Sequence, residues 1–206
     1  MSIELVDTHT HLNDAKFQAD VKETVQRARA VGVTRMINMG DTLESSERAV
    51  NLAESYEGLY AGVGIHPEEA FEMTSREDDI LAGWTDMPKV VAIGEIGLDY
   101  FKLPSDKAEV DALVARQKAA FKSQLEIAYQ LGCPVCVHAR KSFTDAVALI
   151  DASGVDWRKV VFHCFSEGAA EVRQLNERGG RASFTGTLTY KNAGNVREAA
   201  LAQGLD

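Results

Sequence analysis

The sequence predicts an α/β fold on a parallel sheet, and three observations carry that reading. Short runs rich in valine and isoleucine alternate with longer helical runs, the alternation repeats seven times in strict βα order, and no proline- or serine-rich linker interrupts it. Right-handed crossovers then make successive strands parallel, either as a doubly wound sheet or as a barrel. No GxGxxG or P-loop follows the first strand, which weakens a nucleotide-binding reading and favours the barrel.

The elements follow in order. Residues 3–7 (IELVD) read as the first strand and 14–31 as a helix ended by Gly32. RMINMG at 35–40 gives the second strand, with a helix over 43–56 closed by Gly58. LYAGVGI at 59–65 and VVAIGEI at 90–96 are strands three and four, followed by helices at 76–85 and 108–131, the latter ended by Gly132. PVCVH at 134–138, KVVFHC at 159–164 and RASFTG at 181–186 complete the strands, and helices are expected at 142–152, 167–178 and 192–202. Such short apolar runs suit strands buried on both faces. An eight-stranded barrel takes about 250 residues, and the chain stops one βα unit short of it.

Composition bounds the function. The chain has 206 residues, 45% apolar and 26% charged, as expected for a single globular domain over 1–206. Twenty-two basic against 31 acidic side chains give a net charge of −9, which argues against a dedicated duplex-DNA binder. A nucleic-acid enzyme is still compatible, because bound divalent metals supply local positive charge. The N-terminus lacks a basic region followed by an apolar run, no apolar stretch approaches membrane-spanning length, and three cysteines are too few for a disulfide framework. The expectation is a soluble cytoplasmic enzyme without membrane contact, working as a monomer.

The chemistry gathers at the predicted strand ends. All five histidines (His9, His11, His66, His138 and His163) lie at or just beyond the carboxyl end of a strand, where (β/α) barrels build their active sites. His9 and His11 are two apart on an extended segment and share a face with Asp7, so both imidazoles can serve one cation or form a hydrogen-bonded pair near the barrel rim. Glu95 stands in a run otherwise apolar or glycine, where a carboxylate is costly unless paired or bound to metal. A salt bridge to a lysine or arginine across the mouth is the alternative to metal binding. His138 and His163 each end an apolar run on adjacent strands; either alone reads as a packed core histidine, but together with the others they suggest a one- or two-metal hydrolase site using Zn, Mn, Fe or Ni.

Other residues carry less. His66, in GIHPE, suits substrate binding, support of a ligand, or packing. Arg140, two beyond His138, has the fork for a phosphate or carboxylate, or for a surface ion pair. Asp99, Tyr100, Tyr190 and Lys191 could line the mouth. Cys133 and Cys136 form CPVC, but they open a strand rather than a helix, so packing explains them better than redox work.

With these residues assembled, the sequence resembles the TatD family of metal-dependent hydrolases. The matching segments are DTHTHLND (7–14), GVGIHPE (62–68), AIGEIGLDY (92–100), PVCVHAR (134–140), VFHCFS (161–166) and SFTGTLTYKNA (183–193). They span nearly the whole chain. The resemblance implies a TIM (β/α)8-type barrel and a deoxyribonuclease or phosphodiesterase, often a 3′ exonuclease, acting on DNA or another phosphodiester. It implies two divalent ions (Zn, Mn or Mg), one held by His9 and His11, a second by His138 and His163, with Glu95 bridging them as the catalytic carboxylate and His66 nearby.

The family's last ligand, an aspartate in a motif like ETDxPYL on the eighth strand, has no counterpart here. The sequence ends LAQGLD, and Asp206 resembles the aspartate before that strand, not the ligand. The expectation is a barrel truncated after its seventh βα unit. Two other readings stand: an amidohydrolase-type metal hydrolase acting on a C–N or ester bond, and an inactive truncated form or interaction protein.

Overall fold

The structure, a computed structural model, describes residues 4–70 and 73–204. Residue 3 of the first predicted strand and Asp206 therefore lie outside the described residues. Seven strands form one parallel sheet in sequence order: β1 (Leu5–Thr10), β2 (Val33–Met39), β3 (Leu59–Val63), β4 (Val90–Asp99), β5 (Val135–Arg140), β6 (Val160–Phe162) and β7 (Arg181–Ala182). Helices α1 (Val21–Ala30), α2 (Leu43–Ser55), α3 (Ser75–Thr85), α4 (Lys107–Leu131), α5 (Phe143–Ser153), α6 (Ala169–Arg178) and α7 (Gly194–Gln203) follow the strands in turn. The sheet curls as part of a TIM-type barrel with seven βα units. Among the described residues β1 pairs only with β2 and β7 only with β6. Leu5 and Val6 on the β1 edge are accordingly 47% and 50% exposed.

The core lies between sheet and helices, with Ile93, Ile96 and Leu98 of β4 packed against Phe121 and Leu125 of α4. A smaller cluster joins Leu12, Val21, Val25, Met36 and Leu59 under α1. Ile93 and Ile96 have opposite parity and would face opposite sides of a regular strand. The β4–β5 register shifts between them, so Ile93, Ile96 and Leu98 all enter the core while Glu95 and Asp99 turn to the inner face.

Several expected boundaries move. The first helix is shorter than 14–31, because Asp14 caps a separate 3-10 turn at Ala15–Phe17 before α1 begins. β1, β4 and β5 run past their expected ends to Thr10, Asp99 and Arg140, since hydrogen-bonded pairing continues there. His9 therefore sits inside a strand, and Glu95 and His138, within their expected runs, no longer lie at the strand ends. β7 shrinks to Arg181–Ala182, and the chain turns into a 3-10 segment at Gly186–Thr189. No helix among the described residues is long and apolar enough to cross a membrane.

Candidate metal centre

The site begins at β1. Thr10 Oγ1 and the Leu12 N–H both donate to Asn38 Oδ1, at 2.8 and 3.1 Å, and Asn13 Nδ2 donates to the Met39 and Ser45 carbonyls. These contacts anchor the segment carrying the HxH pair. The His9 and His11 Nε2 atoms lie 3.1 Å apart, and both face Glu95 Oε2, at 3.1 and 3.7 Å. His11 Nδ1 is 3.1 Å from the Met39 carbonyl, which can only accept, so Nδ1 carries the proton and Nε2 presents its lone pair inward. Asp7 is exposed and accepts the His9 backbone N–H.

Glu95 is 5% exposed and joins the two halves of the cluster. Its Oε1 lies 3.0 Å from His138 Nδ1 and 3.8 Å from His66 Nε2. The salt bridge to a basic residue considered from sequence is replaced by imidazole partners on both oxygens. On its far side His138 Nε2 sits 2.8 Å from Asp99 Oδ2, so this ring is held between two carboxylates. Asp99 is buried, and α4 fixes its backbone: Gln117 Oε1 accepts the Asp99 N–H and Gln117 Nε2 donates to its carbonyl. Two turns further, Gln124 makes the same double contact with Ile65, the residue before His66. At Gly97, φ is +143° and a Cβ would fall 2.0 Å from the His138 carbonyl oxygen, so β4 and β5 approach this closely only because the residue is glycine.

His163 lies in neither compact donor group. Its ring stacks on His9 with centroids 3.3 Å apart and planes within 8°. The two groups with ligand atoms within 4.8 Å of one another are His9, His11 and Glu95, and His66, Glu95 and His138. Arg140 lies at the rim over Phe101 rather than against Glu95. Tyr100 turns away and donates its hydroxyl to Asp145 at 2.9 Å. The Tyr190 carbonyl accepts from Arg197, and its side chain and Lys191 are exposed. Cys136 is buried in β5 with Sγ 3.4 Å from His9 Nδ1, so the CPVC cysteine packs beneath a histidine.

The electrostatics follow from these contacts. Burial would raise Glu95, but hydrogen bonds from His138 and His9 outweigh it and hold the carboxyl well below its ordinary value. Burial would lower His138, yet Glu95 and Asp99 together hold it above the usual imidazole range. His66 is pushed down by burial and by His138. His163 falls to about 4 through burial and the neighbouring His9. A buried carboxylate ringed by imidazoles, one with its tautomer fixed by a carbonyl, is a donor set suited to divalent transition metals.

Comparison with known proteins agrees. The family described as TatD related DNase matches residues 6–206. The chain belongs to the TatD family. Within it, the chain is 34% identical to the uncharacterized metal-dependent hydrolase YabD of Bacillus subtilis, over 94% of this chain and 73% of that protein. It is 33% identical to the 3′-5′ ssDNA/RNA exonuclease TatD of Cronobacter sakazakii, over 96% of this chain and 72% of that one. The crystal structure of the TatD homologue YJJV from Escherichia coli superposes with a TM-score of 0.84 at 29% identity, covering 97% of this chain and 74% of that one. One of these relatives is named a metal-dependent hydrolase, and the two histidine–glutamate groups described above have ligand atoms close enough to hold a metal ion.

Proposed function

We propose that the chain is a divalent-metal-dependent phosphodiesterase that hydrolyses DNA, working from the 3′ end of single strands. The observation that carries this reading is Glu95, whose two oxygens face different histidine sets. The exonuclease name of its 33% identical relative supports the substrate class. In this reading His9 and His11 would hold one divalent ion and His138 with His163 a second, Zn, Mn or Mg, with Glu95 serving both sets. Bound there, such ions supply Lewis acidity toward the phosphoryl group and make water acidic enough to attack at neutral pH.

The protein residues do the rest. His11 keeps its lone pair inward because Met39 holds the opposite proton. His138 Nε2 donates to Asp99, and Nδ1 must release its proton for the site to fill. His66 Nδ1 accepts the Glu68 N–H at 3.2 Å, so the neutral ring carries its proton on Nε2, the atom aimed into the site. We assign His66 as a donor to a phosphoryl oxygen rather than as a ligand. Attack of water oxygen on phosphorus breaks the bond to the 3′ oxygen of the preceding nucleotide, and that oxygen leaves with a proton. A cleft beside His11, bounded by Asn13, Lys16, Asp41 and Arg48, gives substrate access.

Three free cysteines, two of them partly exposed, suit a reducing cytoplasm. The test is chelated protein reloaded separately with Mn, Mg, Zn and Co, assayed on a simple phosphodiester and on 3′-labelled single-stranded DNA. Metal-restored cleavage that is lost in Glu95→Gln is expected. No cleavage with any of the four metals overturns the reading, and hydrolysis of an amide or lactone instead transfers it to C–N or ester chemistry.

A further inference from the structure

One exposed cluster beside the metal centre has no part in the roles above. Phe101 follows β4 and is 44% exposed. The Arg140 guanidinium carbon lies 3.5 Å from its ring centroid, and Lys141 Nζ lies 5.1 Å away. Lys141 takes a left-handed φ of 56°, which is uncommon for a residue with a side chain. The Phe101 N–H donates to Asp99 Oδ1 at 2.7 Å, while the other oxygen of that carboxylate holds His138. Asp99 and Arg140 are paired in register, and the Tyr100 N–H donates to the Arg140 carbonyl. The ring and its two cations are thus fixed relative to the site, about two residues further out along the strands.

The two cations of this cluster stand against a ring and not a carboxylate. Acidic residues outnumber basic ones 31 to 22, and several cations elsewhere meet carboxylates: Arg48 with Glu44, Lys118 with Asp145, Arg158 with Asp156, and Arg178 with Asp151. Among the described residues neither Arg140 nor Lys141 has a carboxylate partner, and the feature both share is an exposed aromatic ring. An aromatic surface flanked by uncompensated cations is the arrangement by which proteins hold single-stranded nucleic acid, with bases on π faces and phosphates on the cations.

We infer that Phe101, Arg140 and Lys141 form a base-stacking platform beside the metal centre. A base of the strand being cut stacks on the Phe101–Arg140 pair, while Arg140 and Lys141 meet the phosphates on either side of it. The inference rests on the phosphodiesterase reading and adds to it a grip on a base at the β4–β5 side of the mouth.

The test uses a set of single strands, each lacking one base among the three 3′-terminal nucleotides. Against the intact strand, wild-type protein should lose about tenfold in kcat/KM at one of these positions, the size expected for one stacked base. Phe101→Leu keeps apolar bulk but removes the π face. It should slow the intact strand to the rate of that abasic one, and Phe101→Trp should retain the difference. A wild-type protein indifferent to all three bases overturns the inference. So does a Phe101→Leu variant that slows every strand equally, which is what a purely structural ring would do. If wild type cleaves no strand with any metal, the phosphodiesterase reading fails and this inference falls with it; cleavage with base dependence untouched by Phe101→Leu removes the platform alone.

Discussion

At the scale of single residues, Asp99 is the group whose importance is greatest relative to its visibility. Glu95 stands out in sequence because a carboxylate inside VVAIGEI contradicts the burial of its neighbours. Asp99 is read as a loop residue just past the strand, one of several polar groups at a mouth. The structure extends β4 through Asp99, buries it, and sets its Oδ2 2.8 Å from His138 Nε2. A carboxylate there fixes the ring's tautomer and orientation for a ligand on the opposite nitrogen. Asp99→Asn should therefore weaken metal binding about 10- to 100-fold while leaving the fold intact. Competition of the apoprotein against a chelating dye measures this without relying on turnover, and unchanged affinity would remove Asp99 from the site. The HxH pair was legible, both rings facing Glu95, but Asp7, expected on the same face, is exposed, because the β1–β2 register shifts between Asp7 and Thr10. The stack of His163 on His9 was not legible, because ring orientation depends on packing across three strands.

At the scale of elements, β4 and α4 shape the centre. The irregular register of β4 lets one strand supply both the core and the site, and no local pattern in AIGEIGLDY announces that break in alternation. The α4 glutamines were also missed. A long helix of mixed polarity shows no obvious inner face, although Gln117 and Gln124, seven apart, do lie on one side of it. Each satisfies a buried N–H and a buried carbonyl on the segments bearing Asp99 and His66. Gln117→Leu keeps the volume but strands both backbone groups of Asp99. It should cost about 1–3 kcal/mol of unfolding free energy, read as a lower urea midpoint at unchanged slope. A midpoint within error of wild type would mean that water replaces the clamp.

At the scale of the whole molecule, the seven-fold βα alternation was legible because apolar period and glycine punctuation agree along the chain. The strand ends were less so, since their extent is decided by pairing with neighbours. The titration of the cluster makes the stability of the metal-free protein depend on pH. His163 is depressed to about 4 from an ordinary 6.5, so between those values the unfolded chain takes up a proton that the folded chain refuses. Stability falls as pH drops through this window, by on the order of 2 kcal/mol allowing for its partial exposure. His138 is raised, so its contribution is full below 6.5 and fades as pH climbs through its folded value. The melting temperature of chelated protein should peak near pH 6.5 and decline on both sides, with His163→Gln making the acid limb shallower and His66, also depressed, keeping part of it. A monotonic profile from pH 4 to 8 would contradict this balance.

The paired clamps of α4 also bear on how the chain can change in length. Seven residues of α-helix advance about 10.5 Å and bring the second glutamine back to nearly the same azimuth as the first. That interval is dictated by helical pitch, not by the side chains between, so substitutions at exposed positions from 118 to 123 leave it alone. A single inserted or deleted residue there swings one clamp by about 100° off its target. The stretch is therefore permissive in spelling and strict in count, and length variation in relatives that keep both clamps has to fall outside it.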